Sequence, residues 1–240
     1  KLWEASPASD GTPSVTLRYR SPDGEMSFPG TLDVSVVYTL QDDGLKLDYR
    51  ATTDKPTVLN LTSHGYFNLA GAGAASVLDH RVQINAARYT QTDAQLIPTG
   101  KLLPVAGTPL DFRTPHPLGE RIHEDNADLR HAEPKQGGYD FNWVLDAPGL
   151  ETPAVIVEEP TTGRTLTVFT TEPGMQLYTS NAIDRIEGGK GGKPYLHWGA
   201  LALEAQHFPD SPNHADFPST RLDPGQTYTQ TTIYRFGVAK

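Results

Sequence analysis

Thr31-Leu32-Asp33-Val34-Ser35-Val36-Val37-Tyr38-Thr39-Leu40 is followed by Asp42-Asp43-Gly44 and then by Leu45-Lys46-Leu47-Asp48-Tyr49-Arg50-Ala51-Thr52. Both runs alternate in character and are rich in β-branched and aromatic residues, and the Asp-Asp-Gly between them is a turn signal. The same signature extends outward in both directions. Upstream, Ser14 to Arg20 reads as a strand, with Pro22-Asp23-Gly24 as the turn that follows it. Downstream, Thr57 to Thr62, His80 to Ala86, Phe141 to Leu145 and Ala154 to Glu158 read as strands. So do Thr165 to Thr170, Met175 to Thr179, Ala200 to Glu204 and Tyr228 to Phe236. Pro160-Thr161-Thr162-Gly163 reads as the tip of a hairpin. Only Pro117 to Ile122 looks helical, as a short surface turn. The expected architecture is all-β: a large antiparallel β-sandwich.

Composition agrees. With 22 Gly and 20 Pro in 240 residues, the composition argues against a helical protein, since each of these residues destabilises a helix interior. All-β folds reach this length as one unit, so residues 1–240 are expected to form a single domain. No internal repeat is visible, and the glycine stretches at 71–75 and 188–192 are too short to divide the chain. A net charge of −9 repels phosphates and argues against a nucleic-acid partner. No apolar run is long enough to span a bilayer as a helix. The absence of cysteine removes disulfides, thiolate metal sites and a Cys nucleophile, and leaves cytoplasmic and periplasmic locations equally open.

Four polar residues stand out. His64 follows an apparent strand in Asn60-Leu61-Thr62-Ser63-His64-Gly65-Tyr66, where it is either a hydrogen-bonded loop histidine or a chemical group. Glu204 closes the apolar run Gly199 to Leu203. A carboxylate there is costly unless paired or used, so a salt bridge and a functional role both fit. Asp140, after Gly137-Gly138-Tyr139, suits a turn cap as well as a ligand contact. Gln176 suits an outward strand position. Glu204, His207 and His214 raise the idea of a metal site, but their spacing matches no standard pattern.

Taken together, these segments resemble the aldose 1-epimerase family. Asn60 to Leu69 is similar to its Asn-x-Thr-x-His-x-Tyr-Phe-Asn-Leu signature. Leu96 to Gly100 with Thr108 to Arg113, Gly138-Tyr139-Asp140-x-Asn142, and Pro173 to Asn181 resemble its next three landmarks. Leu203 to Asn213 and Leu222-x-Pro224-Gly225-x-x-Tyr228 resemble the last two. The resemblance implies a mutarotase sandwich that interconverts the α and β anomers of a free aldohexose such as galactose or glucose. It implies Glu204 as general base on the anomeric hydroxyl and His64 as general acid toward the ring oxygen. Asp140 and Gln176 would bind sugar hydroxyls. It implies a small sugar as partner and no metal or organic cofactor.

Reference pKa values of about 4.3 and 6.5 suit a glutamate and a histidine to such proton transfers near neutral pH. Two departures from the family pattern carry expectations. Phe141 stands where the family usually has histidine, which implies altered packing or sugar preference with the chemistry kept. Lys1-Leu2-Trp3-Glu4-Ala5 resembles the end of a family segment, and the sugar-binding arginine and histidine upstream of it have no counterpart in the chain. The expectation is an incomplete domain, with a separate N-terminal fragment as a further partner. The rival readings are a non-catalytic carbohydrate-binding sandwich, an inactive truncated domain, and an epimerase of hexose 6-phosphates. The last needs a cationic cluster, and basic residues here are scattered.

Overall fold

The computed structural model describes residues 1–132 and 137–239. Strands are numbered here in chain order. One sheet has the spatial order β1 (Glu4–Pro7), β2 (Ser14–Ser21), β3 (Leu32–Gln41), β4 (Gly44–Thr53), β19 (Tyr228–Val238), β13 (Arg164–Thr170), β12 (Val155–Glu158), β7 (Arg81–Ile84) and β10 (His116–Pro117). The other runs β6 (Tyr66–Phe67), β17 (Leu201–Gln206), β14 (Gly174–Tyr178), β11 (Asp140–Val144), β8 (Arg88–Thr92) and β9 (Pro98–Pro104). Two small ribbons pair β5 (Thr57–Val58) with β18 (Arg221–Leu222), and β15 (Arg185–Ile186) with β16 (Tyr195–Leu196). Neighbouring strands are antiparallel in both sheets. This is the expected sandwich.

Period-two alternation builds its core. Val36, Leu47, Val82, Ile84, Val157, Leu166, Val168 and Tyr234 of the larger sheet meet Phe141, Trp143, Met175, Leu177, Leu201 and Leu203 of the smaller one. Burying an aliphatic or phenyl side chain of this kind contributes roughly 1.5–3 kcal/mol. The buried polar tips are satisfied across the core. The Tyr234 hydroxyl donates to the Leu203 carbonyl at 3.1 Å, and Trp143 Nε1 donates to the Leu110 carbonyl at 3.1 Å.

Several sequence expectations are corrected. The run Thr57 to Thr62 is a strand only at Thr57–Val58, and the segment from Leu59 through Gly65 is irregular. Leu59 N–H is taken by the Thr220 carbonyl, which holds this segment to the chain before β18. Glu204 lies inside β17 rather than closing it. The helical reading of Pro117 to Ile122 reduces to a 3-10 turn at Leu118–Glu120. Among the described residues the α-helix is α1 (Ala127–Ala132); it starts on Asn126, whose Oδ1 accepts from the N–H groups of Asp128 and Leu129. Strands β8 and β9 were not expected: β9 begins and ends on proline and contains Gly100, and the pair carries a bulge between Thr90 and Thr92. Proline and glycine obscure edge strands in just this way.

Candidate active site

On the smaller sheet, residues opposite each other in register share a face. The register Asn142–Gln176–Glu204 crosses β11, β14 and β17, and Asp140–Tyr178–Ala202–Tyr66 crosses the same strands and β6. Their odd-numbered neighbours Phe141, Trp143, Met175, Leu177, Leu201 and Leu203 fill the core. Alternation therefore puts Glu204, Gln176 and Asp140, separated by tens of residues in sequence, on one outer face. Two glycines let these strands come together. A Cβ at Gly138 would lie 2.1 Å from Asn181 Oδ1, and one at Gly174 would lie 2.4 Å from Asn142 Oδ1.

The face opens into a cleft of about 560 Å³ lined by His64, Tyr66, Asp140, Gln176, Tyr178, Asn181, Glu204 and Gln206, among others. That is a usual size for a small-molecule site. His64 enters from the irregular segment before β6, with its Nε2 3.3 Å from Glu204 Oε1. The imidazole is about half exposed and the carboxylate nearly buried, at 47% and 11% of their side-chain surfaces. Tyr66 and Tyr178 pack against the imidazole and against each other, with centroids 4.9 and 6.1 Å from it and 6.5 Å between the two tyrosines. On the other side of Glu204, Gln176 Nε2 donates to Asp140 Oδ1 at 2.7 Å.

Burial pushes the Glu204 carboxyl above its ordinary value; His64 opposes the shift and Asp140 adds to it. Burial also raises Asp140, against the Gln176 hydrogen bond and the His64 charge. Desolvation disfavours the charged form of an acid, and both carboxylates share one low-dielectric floor.

All four residues singled out from sequence are thus brought to one cleft. Tyr66, Tyr178, Asn142 and Gln206 were not singled out, although Tyr178 and Gln206 lie two residues from Gln176 and Glu204, the spacing that shares a strand face. Phe141 points the other way: its ring packs edge-on against Tyr89 and Trp143 in the core. His207 pairs with the buried Glu172 at 2.6 Å and His214 with Asp210 at 3.2 Å. Among the described residues no three His, Asp or Glu side chains converge as metal ligands would. No helix among them is long and apolar enough to cross a membrane.

The sequence matches the family described as aldose 1-epimerase over residues 1–235. The chain belongs to the aldose 1-epimerase family. It is 42% identical to the galactose mutarotase of Mus musculus over 238 residues, covering 99% of this chain and 66% of that protein. It is 39% identical to the aldose 1-epimerase of Escherichia coli K12 over 226 residues, covering 92% of this chain and 63% of that one. The chain therefore spans slightly less than two thirds of the length of these relatives. Among solved structures, the GalM/aldose epimerase homologue from C. elegans superposes with a TM-score of 0.86 at 28% identity, covering 100% of this chain and 70% of that one. Galactose 1-epimerase from Lactobacillus acidophilus gives a TM-score of 0.85 at 26% identity, covering 100% of this chain and 68% of that one. The fold is that of the galactose mutarotases.

Proposed function

We propose that the chain interconverts the anomers of a free aldohexose by acid–base ring opening, with Glu204 as base and His64 as acid. The observation that carries this reading is the meeting of His64 and Glu204 at 3.3 Å in a cleft whose floor continues into the Asp140–Gln176 pair. The anomeric carbon enters between the two groups, which exchange their mutual contact for the two oxygens of the hemiacetal. Glu204 takes the proton of the anomeric hydroxyl, the C1–O1 bond becomes a carbonyl, and the bond from C1 to the ring oxygen breaks. The ring oxygen takes the proton held by His64. Rotation about C1–C2 turns the other face of the aldehyde inward, and closure returns both protons to their starting partners. Asp140 and Gln176 hold the ring hydroxyls while C1 turns. The half-exposed imidazole has room to follow the ring oxygen, and its two tyrosine neighbours limit its swing.

Polarimetry on freshly dissolved α-D-galactose or α-D-glucose tests the reading. The chain accelerates mutarotation, and Glu204→Gln lowers that acceleration by about 10²–10⁴-fold, the usual worth of one general acid–base group. His64→Asn falls similarly. A Glu204→Gln protein that turns over at the parent rate removes the assigned base.

A further inference from the structure

Beyond Asp140, on the side away from His64, the cleft floor opens into a smaller recess of about 130 Å³. The recess shares Leu96, Asp140, Gln176 and Pro209 with the main cleft, and is closed by Asn142, Thr90 and Thr92. Its polar lining is unusual. Asn142 Oδ1 and Nδ2, Thr92 Oγ1 and Gln176 Oε1 are all buried without a hydrogen-bond partner among the described residues. Asn142 is 2% exposed and Thr92 9%. Buried polar atoms are nearly always satisfied, and four such orphans around one recess mark a place built for a polar occupant.

The chemistry of that occupant follows from the lining. Amide and hydroxyl groups offer both donors and acceptors, and among the described residues no lysine or arginine lines the recess. Among the described residues Asp140 is its one acidic residue, and its carboxylate repels an anion. A neutral hydroxyl fits; a phosphate or carboxylate does not.

The proposed reaction orients the sugar relative to it. The ring oxygen must face His64, on the β6 side of Glu204. Carbon 2 and carbon 3 leave the anomeric carbon in the opposite direction, over β14 and β11. With strands about 4.8 Å apart, Asn142 on β11 lies ~10 Å across the sheet from the strand of Glu204. The part of the ring remote from the anomeric carbon therefore overlies the recess.

We propose that this recess is a hydroxyl-binding annexe of the sugar cleft, in which Asn142 and Thr92 take a hydroxyl from the carbon-3 and carbon-4 side of a neutral aldopyranose and so determine which sugars bind. The inference rests on the sugar-binding reading above. Its test separates the two. Dissociation constants of D-galactose and of its 3-deoxy, 4-deoxy and 6-deoxy analogues are measured by NMR titration for the parent chain, Thr92→Val and Asn142→Leu. Mutarotation and thermal midpoints are followed in parallel.

Either variant weakens galactose and 6-deoxygalactose by roughly three- to tenfold, the usual worth of one neutral hydrogen bond. The 3-deoxy or the 4-deoxy analogue changes by less than about twofold, because the hydroxyl that the variant would orphan is already gone. Thr92→Val removes only a hydroxyl at nearly constant shape, so it decides the matter even where Asn142→Leu does not fold. Equal weakening of all four sugars, or unchanged binding in a Thr92→Val protein with the parent midpoint, overturns the annexe alone. A parent chain that binds none of the four overturns the sugar site and the annexe with it.

Discussion

Glu204 stands where a carboxylate is least comfortable: inside a strand, nearly buried, with a second, partly buried acid two strands away. Its raised pKa has a consequence for stability with a definite sign. In the unfolded chain the group ionises near the ordinary value of about 4.3. In the folded chain it resists ionisation until a higher pH. Its contribution to stability is therefore full below the unfolded value and is lost as pH rises through the folded one. Glu204→Gln cannot ionise and escapes that loss. The variant is expected to melt above the parent near pH 7. The gap closes toward pH 4, where the parent carries the proton. Scanning calorimetry of both proteins over that range reads it, and a variant less stable at neutral pH would show the carboxylate to be held by compensating bonds. The same shift fixes the acidic limb of activity. Because the base must be ionised, kcat/KM falls on the acid side at a pH above the ordinary glutamate value, as one macroscopic limb of a bell-shaped profile.

Strand alternation made half of this site legible in the sequence, and an irregular segment hid the other half. Apolar residues at 201 and 203, 175 and 177, and 141 and 143 announce three buried strand faces, so Glu204, Gln176 and Asp140 must lie on the opposite ones. What periodicity does not supply is which strands are neighbours, and no local rule says that β17 pairs with β14 or β14 with β11. His64 was harder. The strand read through Thr62 ends at Val58, because the chain after it bonds through side chains and long-range carbonyls instead of a ladder. Asn60 is the clearest of these contacts. Its Nδ2 donates to the His207 carbonyl at 2.9 Å and its Oδ1 accepts the His207 N–H at 3.0 Å. One amide thus ties the His64 segment to the chain just past β17, three residues from Glu204. Asn60→Ala is expected to lower kcat/KM by about tenfold or more, since small misplacements of a catalytic pair are expensive. Its melting point should fall by only about 2–4 °C. A drop in stability with unchanged kcat/KM would make the clamp purely structural. A second local device is the hairpin between β12 and β13. There the Glu159 carboxylate accepts from the Thr162 hydroxyl and from the N–H groups of Thr161 and Thr162, which holds its pKa at about 2. Its stabilisation is present above the ordinary carboxylate range and is lost as pH falls through about 2. Glu159→Ala should therefore melt below the parent at pH 7, with the difference vanishing near pH 2 in thermal melts followed by circular dichroism.

The charge of the whole chain bears on which sugars reach this cleft. A net charge of −9 surrounds a site that itself holds two carboxylates, and among the described residues no lysine or arginine lines it. The field therefore opposes an anionic substrate twice, at long range and at contact. A neutral aldose feels neither term. The two contributions separate by salt, because the Debye length shrinks from about 30 Å at 0.01 M to about 3 Å at 1 M. For galactose, KM should change by less than about twofold over that span, since an uncharged ligand has no screened interaction to lose. For galactose 6-phosphate, kcat/KM at low salt should lie at least about tenfold below that of galactose, a gap of ~1.4 kcal/mol. Added salt should narrow that gap without closing it. The long-range part is screened, while the contact between phosphate and a buried carboxylate is not. Initial rates on both sugars across the salt series measure each part directly. A phosphorylated sugar turned over as fast as the free one at low salt would mean that a cation reaches the cleft, and would move the substrate class from free to phosphorylated aldoses.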